Sequence, residues 1–327
     1  MRKAALLYNP ASGGSRVKRK TELEAVLSLF RAAGVEVELM LPHSAAQAQE
    51  QAREAIQRGC DTVFAGGGDG TIHNIVQVLA NTSVALAILP LGTANSLAHD
   101  LGLPINIFHA AQAALRSKPR RIALGHIHYH DLAGSPATRF FIVAAGAGVD
   151  AHLFYKLHTG DKQRMGMAAY YAKAWHLWFS HSMTRFHIEF CETDSKERHA
   201  ADVTELLAVR IRNFGGVLQE LAPGASLERN DIRLVFCRTA SRLAYLQYVS
   251  RGFLRRNWRV PGIDLAHAER VSCSYLNESK LEESNSVAST SQPHPKVYIE
   301  TDGELVGTLP AEITVVSDAL TLLRPSC

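Results

Sequence analysis

The first 120 residues alternate short apolar runs with stretches whose apolar positions recur at helical spacing. Residues 4–8 predict a strand, and Leu23, Val26, Leu27 and Phe30, at i, i+3, i+4 and i+7, predict a helix with one buried face. Further strands are predicted at 35–40, 62–65 and 85–89. Between them, Ala48, Ala52, Ala55 and Ile56 mark one helix, and Ile72, Ile75, Val76 and Leu79 another. Strands alternating with helices of this length predict a doubly wound parallel sheet that binds ligands at the carboxyl ends of its strands. From about residue 122 the period changes to two, in runs at 140–144, 186–190, 206–212, 233–237, 297–300 and 313–316. Such runs predict an antiparallel β-sandwich, here interrupted by helical segments near 165–180 and 240–256. Residues 277–295 are polar, rich in Ser and Glu, and read as a loop.

Composition narrows this picture. At 327 residues, 46% apolar and 20% charged, the chain is long enough for two cores. No apolar run approaches the roughly 20 residues of a membrane-spanning helix. The N-terminal MRKAALLYNP is too short in apolar residues for a signal peptide and reads as a strand. Five cysteines (Cys60, Cys191, Cys237, Cys273 and Cys327) are odd in number and lack CxxC spacing, which suits a reducing cytoplasm rather than disulfides or zinc. A net charge of +4 is too modest to imply nucleic acid.

The candidate chemistry lies in glycine-rich turns. In FAGGGDGTIHNIVQ (64–77), Gly66, Gly67 and Gly68 let a ligand approach peptide N–H groups, and the start of the following helix, expected near Thr71, adds its positive end. Such a turn cradles phosphate, and Asp69 beside it calls for a bridging magnesium ion. One glycine turn of this kind also serves as a plain tight connection. Here, however, the first strand ends in NPASGG (9–14) and the fourth in PLGTAN (90–95), so three such loops share one sheet edge. None matches GxxxxGK[ST] or a dinucleotide fingerprint.

NPASGG, GGGDGT, PLGTAN followed by LGLP, and TDGELVGTLPAEI, in that order, resemble the diacylglycerol kinase catalytic-domain family, especially its soluble bacterial lipid kinases. Sphingosine kinases are more distant members, and GGDGT is also shared with NAD kinases. The resemblance implies an N-terminal α/β nucleotide-binding domain (1–122), a C-terminal antiparallel β-sandwich domain facing lipid (123–308), and a segment returning to the first domain (309–327). It implies ATP- and Mg2+-dependent phosphorylation of a lipid hydroxyl, diacylglycerol or a similar long-chain alcohol. Carried over by residue, Asn9, Ser12 and Gly13 belong to the first ATP loop, Gly67, Gly68, Asp69, Gly70 and Thr71 to the second, and Thr93 to the third. Ser44 is the nearest match to a nucleotide-contacting threonine, Asp69 is the catalytic metal-binding acid, and Glu304 is the proton acceptor. Read without the resemblance, Asp302-Gly303-Glu304 is an ordinary hairpin turn. The implied partners are a lipid at or from a membrane surface, with peripheral membrane contact, and a second copy of the chain.

Two positions depart from the family pattern. Residues 122–125 read IALG, with Ala123 in place of an aspartate. An acidic-glycine turn associated with a structural magnesium aligns with Leu227-Glu228-Arg229-Asn230-Asp231-Ile232, which lacks the glycine and carries Arg229. Asp231 or Glu228 then binds metal only with a shifted register. These losses keep a non-catalytic nucleotide or lipid sensor in view, beside an NAD kinase-like enzyme. His126, His128 and His130 alternate on a strand and read as a solvated face rather than zinc ligands. Tyr170, Tyr171, Trp175, Trp178 and Phe179 read as helix core or acyl cleft. Arg251, Arg255, Arg256 and Arg259, around Phe253, Leu254 and Trp258, read as a solvated helix face or an anionic-lipid contact.

Overall fold

A computed structural model describes residues 1–10, 12, 16–148, 183–215, 221–254, 258–276 and 295–325. The chain divides into two compact units. The first comprises Met1–Leu124, Ile211–Gln219 and Val316–Cys327, and the second Gly125–Arg210 and Glu220–Val315.

In the first unit, β1 (Lys3–Tyr8) lies between β2 (Glu36–Met40) and β3 (Thr62–Gly67), with β4 (Ala85–Pro90) beyond β3, all parallel. Helices α1 (Arg16–Ala32), α2 (Ala45–Gln57), α3 (Asp69–Leu79), α4 (Ser96–Asp100) and α5 (Ile107–Arg116) connect and flank them. One face of the sheet, including Leu6, Tyr8, Phe64 and Leu89, packs on Val26 and Phe30 of α1 and on Ile107 and Ala110 of α5. Alternation turns Ala5, Leu7, Val63, Ala65 and Leu86 to the other face, where they are equally buried. There α2 supplies Ala48, Ala52 and Ala55, and α3 supplies Ile72, Ile75 and Leu79. Cover on both faces is why β1, β3 and β4 read as unbroken apolar runs.

The second unit is antiparallel. Its elements are the second half of β5 (Lys118–Asp131), then β6 (Pro136–Phe141), β7 (Ala144–Gly148), β8 (Phe186–Glu192), β9 (Arg198–Val203), β10 (Glu205–Val209), β11 (Ile232–Cys237), α6 (Arg242–Phe253), β12 (Ile263–Ser274), β13 (Tyr298–Thr301) and most of β14 (Glu304–Arg324). The strand order runs β13-β7-β10-β11-β12, and β14 pairs with both β13 and β12, so this path closes around its core. Phe141, Ala147, Phe186, Leu206, Leu234 and Ile299 point into that core.

The fold thus joins an N-terminal doubly wound α/β part to an antiparallel β-rich part, as the two periodicities predict. Local departures have physical causes. β3 runs on through Gly66 and Gly67, because Gly66 pairs with Tyr8 and Leu89, and Gly67 with Pro90; α3 accordingly starts at Asp69 rather than Thr71. The predicted strand at 140–144 breaks into β6 and β7. The predicted strand at 313–316 is part of the 21-residue β14, and β9 and β12 carry no clean sequence alternation. The last residues of β14 belong to the first unit, where Thr321 and Leu322 lie parallel to Ala85 and Leu86. The helix expected at 165–180, the five aromatic residues between 170 and 179, and nearly all of the 277–295 loop lie outside the described residues.

Candidate active site

Strand register carries the three glycine loops to one edge of the first unit's sheet. Tyr8 stands beside Gly66, and Gly67 beside Pro90, so β1, β3 and β4 end together. Backbone bonds tie the loops: Asn9 donates its N–H to the Gly66 carbonyl at 2.8 Å, and Leu91 donates to the Gly67 carbonyl at 2.9 Å. The Asn9 amide also reaches Thr71 Oγ1 at 3.4 Å. A Cβ on Gly92 would lie 2.5 Å from Gly68 Cα, and one on Gly67 would lie 2.3 Å from Thr71 Oγ1. The chain needs glycine at both positions, because backbone and backbone touch at one and a side chain fills the space at the other.

Gly68 is the N-cap of α3 and offers no capping side chain, its carbonyl accepts the Thr71 N–H at 3.0 Å, and Asp69 occupies the first turn. Asn95, buried and left-handed at φ 50°, clamps the third loop: its Oδ1 accepts the Gly92 N–H at 2.8 Å, and its Nδ2 donates to the Gly92 carbonyl at 2.9 Å. Asn95, within PLGTAN, is thus the structural clamp of the third loop, a role that the motif alone does not announce. Its signal is its place three residues after a glycine, at the start of a helix. Thr93 stands exposed in the same loop. Ser12 follows Asn9, whose carbonyl accepts its N–H at 3.2 Å, while Gly13 lies outside the described residues. Ser44 is the N-cap of α2, its hydroxyl accepting the Gln47 N–H at 3.2 Å.

Glu304 opens β14 in the second unit, with its carboxylate 3.5 Å from Arg139. It follows a true two-residue hairpin turn, so the turn reading and the functional reading describe the same residues. Asp302 and Gly303 take φ values of 49° and 82°.

Asp231 does not stand open to a metal ion. Both its carboxylate oxygens face the Arg229 guanidinium, with Nε to Oδ1 at 2.6 Å, and His267 Nδ1 lies 3.3 Å from Oδ1. The fully buried Arg210 donates to the Asp231 carbonyl. Burial works against this carboxylate's charge, but Arg229 and His267 outweigh it and hold its pKa below the usual carboxylate range. The residues of this turn do not fit a divalent cation, because a guanidinium already supplies the positive charge. Among the described residues no group of three or more His, Cys, Asp or Glu side chains is placed to hold a metal ion.

The histidine run divides by burial: His128 is exposed, while His126 is half-buried, its ring 4.6 Å from that of Phe140. Arg251 faces inward, 4.3 Å above the Tyr248 ring, so it belongs to no solvated face. Arg255 and Arg256 lie outside the described residues.

The profile of the diacylglycerol kinase catalytic domain matches residues 3–127. The chain is 29% identical to the diacylglycerol kinase of Bacillus subtilis over 315 residues, covering 95% of this chain and 93% of that one. It is 30% identical to a protein of Chromohalobacter salexigens named as a YegS-like lipid kinase, over 66% of this chain and 67% of the other. A crystal structure of a diacylglycerol kinase from Bacillus anthracis shares the fold with a TM-score of 0.69 at 16% identity, over 99% of this chain and 97% of the other. With the glycine rim and the Glu304 turn in place, the chain belongs to the diacylglycerol kinase catalytic-domain family, a family of lipid kinases.

Proposed function

We propose that this protein transfers the γ-phosphoryl group of ATP to the hydroxyl of diacylglycerol or a similar long-chain alcohol. The observation that carries this reading is the meeting of three glycine loops at one sheet edge, backbone against backbone at Gly68 and Gly92, with Asp69 in the first turn of α3. Peptide N–H groups of that rim, with Asn9 and Thr71, hold the phosphates, and Thr93 and Ser12 line the approach. Asp69 would hold Mg2+, which would supply positive charge to offset that of the transferring phosphoryl oxygens. Glu304 takes the proton of the lipid hydroxyl as its oxygen bonds to the γ-phosphorus and the bond to the departing ADP breaks. Arg139 orients the Glu304 carboxylate.

Peripheral contact with a membrane suits such a substrate. None of the described helices is long and apolar enough to cross one. Helix α6 and its end instead expose Leu243, Val249 and Leu254, within a stretch from Arg238 to Arg259 that holds six arginines and no acid.

The test is phosphorylation of diacylglycerol in mixed micelles by the native chain, Asp69→Ala and Glu304→Ala. Asp69→Ala is expected to lose about 10³-fold and Glu304→Ala about 10²–10⁴-fold in kcat. Equal rates in all three reject the assignment. Mass spectrometry of a total lipid extract incubated with labelled ATP then names the acceptor.

A further inference from the structure

The turn that presents Glu304 is anchored by more than its own hairpin. An Asp-Gly pair adopts this geometry without help from the aspartate side chain. Yet the Asp302 carboxylate accepts three consecutive backbone N–H groups from residues 158 to 160 positions away: Val143 at 2.8 Å and Ala144 at 3.0 Å on Oδ1, and Ile142 at 3.1 Å on Oδ2. The Asp302 N–H donates in turn to the Ala144 carbonyl at 2.8 Å. From within the hairpin, the buried Glu300 accepts the Gly303 N–H on Oε2 at 2.8 Å. The gap between β6 and β7 at residues 142 and 143 is where the chain turns those amides toward Asp302 instead of toward a neighbouring strand. Another hairpin of the same unit offers a comparison. There Asp131 accepts only local amides, from Ala133 at 2.9 Å and Ser135 at 2.8 Å.

We infer that Asp302 and Glu300 are positioning residues for Glu304, acting through the turn they lock to β7. This rests on the reading of Glu304 as proton acceptor. Charge-assisted bonds to fixed amides are short and directional, so the residue that follows the turn is presented in one orientation. A displacement of about 1 Å at a catalytic group costs about 10²-fold in rate.

Asp302→Asn keeps the size but replaces one acceptor oxygen with a donor that faces an N–H. In the micelle assay it is expected to lower kcat about 10²-fold with the ATP KM unchanged. Because the effect passes through Glu304, Asp302→Asn added to Glu304→Gln should slow the enzyme no more than about threefold further. Asp131→Asn, which weakens the comparison hairpin, should hold kcat within about twofold. The inference is overturned if Asp302→Asn retains nearly full kcat, or if its loss multiplies with that of Glu304→Gln in the double variant. If Glu304→Gln is as active as the native chain, the proton-acceptor reading itself fails and takes this one with it. Should Asp302→Asn not fold, Glu300 reads the same brace. Glu300→Gln keeps an acceptor for the Gly303 N–H and should stay within about threefold, while Glu300→Met lacks one and should lose at least about tenfold in kcat. Equal rates for that pair would sink the proposal.

Discussion

Single atoms decide two features of this protein. At Gly92 a methyl group would meet the Gly68 backbone at 2.5 Å, a separation that neither main chain can relieve by changing a rotamer. Gly92→Ala is therefore expected to push the second and third loops apart. It should destabilise the protein by about 1–3 kcal/mol in urea unfolding and weaken ATP at least about tenfold in calorimetry. At Asp231 the deciding atom belongs to the Arg229 guanidinium. Arg229→Ala should cost about 1–2 kcal/mol at pH 7, between the values for exposed and buried pairs, since Arg229 keeps 40% of its side chain in water. The sign of its pH dependence follows from the lowered pKa of Asp231. Stability from an acid held below its unfolded pKa is complete above that unfolded value, near 4, and is lost as pH falls through the folded one. The native and Arg229→Ala proteins should thus converge in strong acid. Without ATP, chelation by EDTA should leave the native urea midpoint where it was.

Among the elements, legibility followed the range of the forces involved. The βα alternation of the first unit can be read from spacing alone, because β1, β3 and β4 are buried on both faces by helices close in sequence. The glycine rim was visible in NPASGG, GGGDGT and PLGTAN, and Asp302-Gly303-Glu304 was visible as a turn with an acid after it. What stayed hidden depends on distant partners. The break at residues 142 and 143 depends on a carboxylate some 160 positions later. Asp100 is another case: it accepts the N–H groups of Arg212 at 2.8 Å and Asn213 at 2.9 Å, and burial raises its pKa. No local pattern announces either contact. The sequence shows Arg229 as an obstacle to metal, but only the turn's geometry shows it as the partner of Asp231. Asn95 joins these two lessons, since its position was legible and its clamp was not. Asn95→Ala should remove both bonds to Gly92 and strain a left-handed residue, costing about 1–3 kcal/mol and raising the ATP KM.

For the molecule as a whole, the proposed binding of nucleotide at the rim would appear as stability. At an ATP concentration about 100 times Kd, with Mg2+, the native protein should gain about 2.7 kcal/mol. Asp69→Ala should lose the magnesium-dependent share of that gain, a difference that calorimetric melting will show without any lipid present. One further consequence follows from the route of the chain. The free side of β4 is covered by Thr321 and Leu322, at the far end of β14, so the first unit's sheet, begun first, is finished last. On the ribosome, its sheet must wait with an unpaired edge until residues 321 and 322 have been made, more than 230 positions after β4. A protein stopped after residue 315 should carry that edge permanently and precipitate, however intact its glycine loops.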